Sequence, residues 1–219
     1  GGTVVHMTSG WSALILCLIL GKRTGFGHRP FMPHSLTLTM VGTGMLWVGW
    51  YGFNAGSALA ADAAAGSALV STHLSAAAAG LTWAIIERIR FGRSSMIGVV
   101  TGVVAGLATV TPASGFVGPI GGLILGVAAS LICFHAVDLV KTRMKLDDSL
   151  DVFAVHGVGG ILGTLAVSGL AMTELGGAGY AEGMTPLSQL SVQAIGVAAV
   201  CAWSAAASAV ILLICRFTV

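Results

Sequence analysis

Seven long apolar runs, and the way basic residues punctuate them, leave this chain few folds to choose from. The runs cover about 1–21, 35–57, 63–87, 95–113, 117–140, 150–172 and 188–215. A helix that crosses a bilayer needs about 20 largely apolar residues. Lys22, Arg23 and Arg29 follow the first run, and Arg88, Arg90 and Arg93 the third. Lys141, Arg143 and Lys145 follow the fifth, and Arg216 the seventh. Those are all 10 of the chain's Lys and Arg residues. If every run crosses, all of them fall on one side, and the opposite connections carry only Asp62, Glu174 and Glu182. A missed or surplus helix would scramble that pattern. The positive-inside rule makes the basic side cytoplasmic, so the chain enters from outside and its C-terminus is cytoplasmic.

Composition agrees. Only 8% of residues are charged and 56% are hydrophobic, against about 25% charged in an average soluble domain. So few charges cannot cover a soluble surface of this size, and the expected class is an all-α, multi-pass integral membrane protein forming a single transmembrane domain over 1–219. No Lys/Arg cluster suggests nucleic acid. Cys17, Cys133, Cys201 and Cys215 lie in apolar runs without a CxxC pair and read as free, packed thiols. Gly98, Gly102 and Gly106, then Gly118, Gly122 and Gly126, stand four apart, a spacing that lets helix backbones approach closely in lipid. The chain opens inside an apolar segment with no initiator Met and no signal-peptide pattern, as expected of a piece of a longer protein.

Against this background two histidines stand out, in "GGTVVHMTSG" (His6) and "DVFAVHGVGG" (His156). Five segments separate them, so their helices are antiparallel. An inverted repeat of five helices would relate them, an arrangement that puts transport sites near the midplane. At about 1.5 Å per residue, His6 stands about 24 Å above Lys22 and His156 about 16 Å above Lys145. Both depths fall within a hydrocarbon core about 30 Å thick. One such histidine reads as a satisfied structural hydrogen bond. Two on antiparallel helices point to a pathway, because ionisable groups at that depth are costly. Two chemistries use such a pair: axial ligation of a haem, or neutral imidazoles lining a narrow apolar pore. The other histidines say less. His28 and His34 lie in a loop, His135 near a helix end, and His73 mid-segment, where a hydroxyl or carbonyl partner suffices.

The stretch "WVGWYGFNAGSALAAD", Trp47 to Asp62, closes the second run at the outer side. Trp50, Tyr51 and Phe53 read either as an interfacial aromatic belt or, with Asn54 and Ser57, as a cation site, since aromatic faces attract cations and a hydroxyl accepts their hydrogen bonds. Asp151, in the expected first turn of the sixth helix, suits that helix's positive end. Asp147 and Asp148 read as solvated loop charges.

In order along the chain, "GGTVVH", "GKRTGFG", "FMPHS", "GWYGFNAGSA", "VTPASGFVGPIGG" and "DDSLDVFAVHGVGG" resemble the ammonium transporter family (Amt/Mep/Rh), and the resemblance covers essentially the whole chain. It implies an eleven-helix fold of two inverted five-helix halves plus a final outer helix, with this chain as the fifth to eleventh helices. It implies inward transport of ammonium or ammonia through one pore per subunit of a homotrimer in a plasma or bacterial inner membrane, with no enzymatic activity, cofactor or metal. By the same resemblance His6 and His156 match the twin histidines of the pore, with Val152 on its apolar wall. Phe53 matches one of two outer-gate phenylalanines, Ser57 the serine of the outer ammonium site, and Asn54 and Asp151 supporting polar positions. The second gate phenylalanine, the outer-site tryptophan and an aspartate before the first motif belong to helices upstream of Gly1. A PII-type regulatory protein at the cytoplasmic loops is a further partner the resemblance brings into view. An ammonium sensor of the same fold, a bis-histidine haem protein and a truncated, inactive product are the competing readings.

Overall fold

A computed structural model describes residues 2–28 and 31–218; Gly1 and Arg29, named above, lie outside them. Seven α-helices follow one another: α1 (Gly2–Leu20), α2 (Leu36–Ala55), α3 (Ala63–Phe91), α4 (Met96–Val110), α5 (Pro119–Asp138), α6 (Val158–Leu170) and α7 (Pro186–Thr218). No strand occurs among the described residues. The helix starts are written in the sequence. Ser35, Asp62 and Ser95 each sit in extended backbone and accept a hydrogen bond from the amide three residues on, capping α2, α3 and α4. Such caps satisfy amides that have no partner inside the helix. Pro119 opens α5, where its missing N–H costs nothing.

Among the described residues, five helices are long and apolar enough to cross a membrane: α1, α3, α7, and α5 and α6 with the turns that extend them. The other two differ for separate reasons. At 15 residues α4 is short, while α2 has the length but carries Gly, Thr, Trp and Tyr throughout, which lowers its hydropathy.

Small residues hold α3 between α4 and α5. A Cβ on Gly106 of α4 would lie 2.5 Å from the Ser75 carbonyl oxygen, and one on Gly126 of α5 would lie 2.3 Å from the same atom. A Cβ on Gly122 would meet Ser71 backbone at 2.6 Å. The helices are therefore in backbone contact, as the four-residue glycine spacing anticipates. Hydroxyls tie the contact further. Ser75 Oγ donates to Gly106 O (2.9 Å), Ser71 Oγ to Val117 O (3.1 Å) and Ser130 Oγ to Ala79 O (2.6 Å). Serine fits here because it adds an interhelical hydrogen bond at little cost in volume. A core of Trp83, Val103, Leu107, Cys133, Phe134 and Val155 fills the space beside these helices.

Helices α1 and α6 form a second pair, with α7 laid along both. Helix α7 spans 33 residues and buries only Ser204; Ser208 Oγ donates to Ser12 Oγ of α1 at 2.8 Å. It is an outer helix. The basic connections gather at one end of the bundle, where Arg23 pairs with Asp147 and the Arg90 guanidinium lies over the Phe134 ring. At the other end Ala178 N donates to Phe116 O (2.9 Å), tying the loop before α7 to the one before α5.

Candidate functional site

The site is fixed where α1 crosses the turn that leads into α6. A Cβ on Gly10 would lie 2.3 Å from both the Cα and the N of Gly157. Only two glycines allow such an approach. One turn up α1 from Gly10, and one residue before Gly157, stand His6 and His156. Their Nδ1 atoms are 3.1 Å apart and their rings stack with centroids 5.2 Å apart. His6 is 4% exposed and His156 half-buried. The structure thus brings together two residues 150 positions apart.

A hydrogen bond between two Nδ1 atoms requires one to carry the proton and the other a lone pair. Two neutral imidazoles of opposite tautomer satisfy this; two imidazolium rings would set donor against donor. The pair therefore shares a single bridging proton. The other nitrogen of His6, Nε2, is buried and has no hydrogen-bond partner among the described residues. A buried polar atom without a partner is unusual, and here it is free to bond a small polar molecule.

Aromatic rings flank the His6 side of this pair. The Trp50 indole stacks on His6 at 5.2 Å with 14° between planes, and Phe53 meets His6 edge-on at 6.1 Å. Trp50 is held by its own hydrogen bond, Nε1 to Thr111 Oγ1 at 2.8 Å, and Thr111 in turn donates to Leu107 O. The aromatic-belt reading of Trp50 is thereby corrected: the ring faces inward against His6. Its sequence neighbours do not reveal this, since Trp47, Trp50 and Tyr51 differ only in their angle around α2.

Phe53 is the wall between the histidine pair and a cavity of about 320 Å³, whose lining includes Asn54, Ser57, Thr111, Ser114 and Phe116. Phe53 is 40% exposed. Ser57 lies just past α2 in the 3₁₀ turn Gly56–Ala58 and donates to Phe53 O at 2.7 Å. With its proton so used, its oxygen lone pairs remain available to a cation. Asn54 faces α3 instead, giving its Nδ2 to Thr72 Oγ1 at 3.0 Å; it lines the cavity while holding α2 to α3.

The opposite approach to His156 overturns the sequence reading of the acidic residues. Asp147 and Asp148 are not solvated: they are 8% and 3% exposed. Asp148 takes the helix-start role expected of Asp151, its two oxygens accepting from Val152 N (2.9 Å) and Phe153 N (2.8 Å). Asp151 sits in left-handed backbone, φ 57°, and its carboxylate meets Lys141 Nζ at 2.6 Å. Three acids within five residues of a helix start cannot be sorted by position alone. Val152 is half-buried, one turn before His156. His156 itself lies in a π-helical turn, Phe153–Gly157, whose closing bond runs from Val158 N to Phe153 O. Such single wide turns often mark functional positions. Asp147 accepts from Arg23 Nε (2.8 Å), Nη2 (2.6 Å) and backbone N (2.8 Å). The Arg23 hydrogen bonds hold the Asp147 carboxyl below the usual carboxylate range, against the opposing effect of burial.

A multi-helix membrane protein with a buried histidine pair beside an aromatic-walled cavity is the class these features define. The whole chain, residues 1–219, matches the family model described as Ammonium Transporter Family, and the chain belongs to that family. An ammonium transporter of Mycobacterium tuberculosis is 43% identical over all of this chain and 47% of its own length. Ammonium transporter Amt1 of Archaeoglobus fulgidus is 45% identical over 93% of this chain and 51% of its own. Among solved structures, Mep2 of Saccharomyces cerevisiae superposes with a TM-score of 0.87 at 37% identity, over 97% of this chain and 50% of that one. A protein described as a sensor Amt protein superposes at 0.90 with 30% identity, over 100% of this chain and 54% of that one. The chain thus spans about half the length of the relatives it matches.

Proposed function

We propose that this chain forms one wall of an ammonium-conducting pore, with all seven helices crossing a cell membrane and the C-terminus cytoplasmic. The observation that carries the reading is the His6–His156 contact, with His6 Nε2 unpartnered among the described residues and aromatic rings on the His6 side. Moving a cation-sized ion into low dielectric costs on the order of 20 kcal/mol in the idealised limit. A pore lined by rings and two imidazoles offers no charge to offset that, so the cargo must shed its proton. Ammonium is recruited at Ser57 and Phe53, where lone pairs and a ring face favour a cation. It gives its proton to water at that outer mouth, and ammonia passes His6 and His156, exchanging hydrogen bonds with imidazole nitrogens on the way past Val152. Asn54 braces the outer site and Asp151 the inner one. The family relationship supports a homotrimer, one pore per subunit, and a PII-type regulator on the cytoplasmic side.

A haem between the histidines is disfavoured by geometry: axial ligands stand on opposite sides of the macrocycle, whereas these rings touch. The sensor reading keeps the same site and rests on the 0.90 superposition with the sensor Amt protein; it differs in that binding proceeds without flux. The deciding experiment is uptake of labelled methylammonium by the full-length protein and its His156→Ala variant. Loss of selective uptake with the oligomer intact is expected, and unchanged selective uptake would refute a pore role for the pair. Binding without uptake in the unsubstituted protein marks a sensor, and current accompanying uptake marks relay of the proton along the pair.

A further inference from the structure

The turn that carries His156 is wider than an α turn. It closes from Val158 N to Phe153 O across Phe153–Gly157, so it holds one residue more. Shedding that residue would rotate the turn against α6 by about 100°, one residue's share of a turn of about 3.6 residues. The His156 ring would then leave His6. The turn therefore has to be held at both ends. Gly157, packed against Gly10 of α1, holds the far end.

The near end begins at Asp151, whose carbonyl accepts from Val155 N at 2.8 Å. Asp151 takes a left-handed backbone, φ 57°, which Asp tolerates better than most residues but at a cost that glycine escapes. Such conformations persist where the surroundings impose them. Helix α5 supplies the constraint. Its end opens into a second wide turn, Leu139–Arg143, and Lys141 within it brings Nζ to 2.6 Å from Asp151 Oδ1. That oxygen accepts no aligned hydrogen bond among the described residues, so the attraction is one of charge. Further up α5, Cys133 and Phe134 share a core with Val155. The turn is thus backed by α5 on one side while His156 meets α1 on the other. We propose that Lys141 is a positioning residue of the pore: through Asp151 it keeps this turn wide and so sets the angle at which His156 meets His6. This rests on the pore reading above and adds to it the residue that holds the second histidine in place.

The test is solid-state NMR of the full-length protein in liposomes, isotope-labelled at histidine nitrogen, reading the Nδ1–Nδ1 coupling across the shared proton. The unsubstituted protein should show the coupling, and its absence from His156→Ala assigns it. Lys141→Met should lose it, and Lys141→Arg, which keeps the charge, should retain it. Lys141→Met combined with Asp151→Gly should regain it, because glycine takes a positive φ without strain. If Lys141→Met does not assemble, Lys141→Met combined with Asp151→Ala, which leaves no unpaired charge, takes its place with the same expected loss. Per assembled oligomer, Lys141→Met should lower the maximal methylammonium rate by about tenfold or more, within the roughly hundredfold loss that a misplacement of about 1 Å causes. The half-saturating concentration should stay nearly unchanged. A coupling that survives loss of the lysine's charge overturns the positioning role, and so does its absence from the unsubstituted protein. Full selective uptake in His156→Ala sinks the pore reading instead, whatever the coupling shows.

Discussion

Gly10→Ala should disable the histidine pair without touching either histidine. The added Cβ would start 2.3 Å from Gly157 Cα, whereas carbon atoms rest about 3.5 Å apart or more. The helices must therefore separate by about 1.2 Å at this crossing. Both sides of the contact are backbone, so no side chain can swing away. If that displacement reaches the neighbouring turn, the 3.1 Å Nδ1–Nδ1 contact opens to about 4.3 Å, well past the hydrogen-bond limit of about 3.2 Å. Overpacking of this kind costs about 1–3 kcal/mol. If about 1.4 kcal/mol of it appears in the barrier, uptake falls tenfold. The reciprocal substitution is the internal control. A Cβ on Gly157 would meet the Phe153 ring at 2.9 Å and Gly10 Cα at 3.4 Å; the ring can move and the second distance is ordinary contact. Gly157→Ala should thus be milder. The assay is initial-rate methylammonium uptake in proteoliposomes, with assembly checked by native mass spectrometry. Wild-type uptake in Gly10→Ala, or a larger defect in Gly157→Ala, would refute the claim that this crossing sets the pair.

The other expectations concern the two approaches to the pair. Ser57→Ala should raise the concentration for half-maximal uptake several-fold and leave the maximal rate nearly unchanged, because Ser57 meets the cargo before the pore does; a drop in maximal rate alone would argue against an outer binding role. Asp148→Ala should cost about 1 kcal/mol of thermal stability, the usual penalty for a lost helix cap. Asp148→Asn, with one acceptor oxygen for two amides, should fall between, and equal melting of all three proteins would contradict the capping role. The Arg23–Asp147 pair should be insensitive to physiological pH. Its carboxyl is held low by Arg23, so the pair's stabilising contribution is present above the free Asp value of about 3.9 and is lost only as pH falls through the lower folded value. Limited proteolysis after Lys22 should stay flat from pH 8 to pH 5, and a rise within that window would mean the pairing is wrong.

The helical segments and the partnership of His6 with His156 were legible because they rest on periodic or additive signals: run length, charge placement and the parity of an intervening helix count. What escaped depended on local angles. Trp50 and Trp47 are three residues apart in one aromatic cluster, yet one stacks on His6 and the other on His73. Asp148 and Asp151 compete for one helix start, and the outcome goes with a positive φ at Asp151, a conformation that Asp tolerates better than most residues but that the sequence assigns to neither acid.

The glycines carry the same lesson further. Spacing drew notice to the repeats along α4 and at the start of α5, and all but Gly118, which meets the Leu175–Gly176 backbone, do pack against α3. Gly10 and Gly157, which bring the histidines together, belong to no repeat of their own. A glycine's importance at a crossing is a property of two helices at once: each removes a Cβ that the other's backbone would strike. Single-helix motifs therefore report packing within a sequential bundle, as α3, α4 and α5 are, but stay silent where first and sixth helices meet. The two histidine stretches each contain their half of that contact, "HMTSG" ending at Gly10 and "HG" at Gly157. The pair and the crossing that aligns it are thus one device divided between distant segments, and the Gly10→Ala experiment tests the device rather than either half.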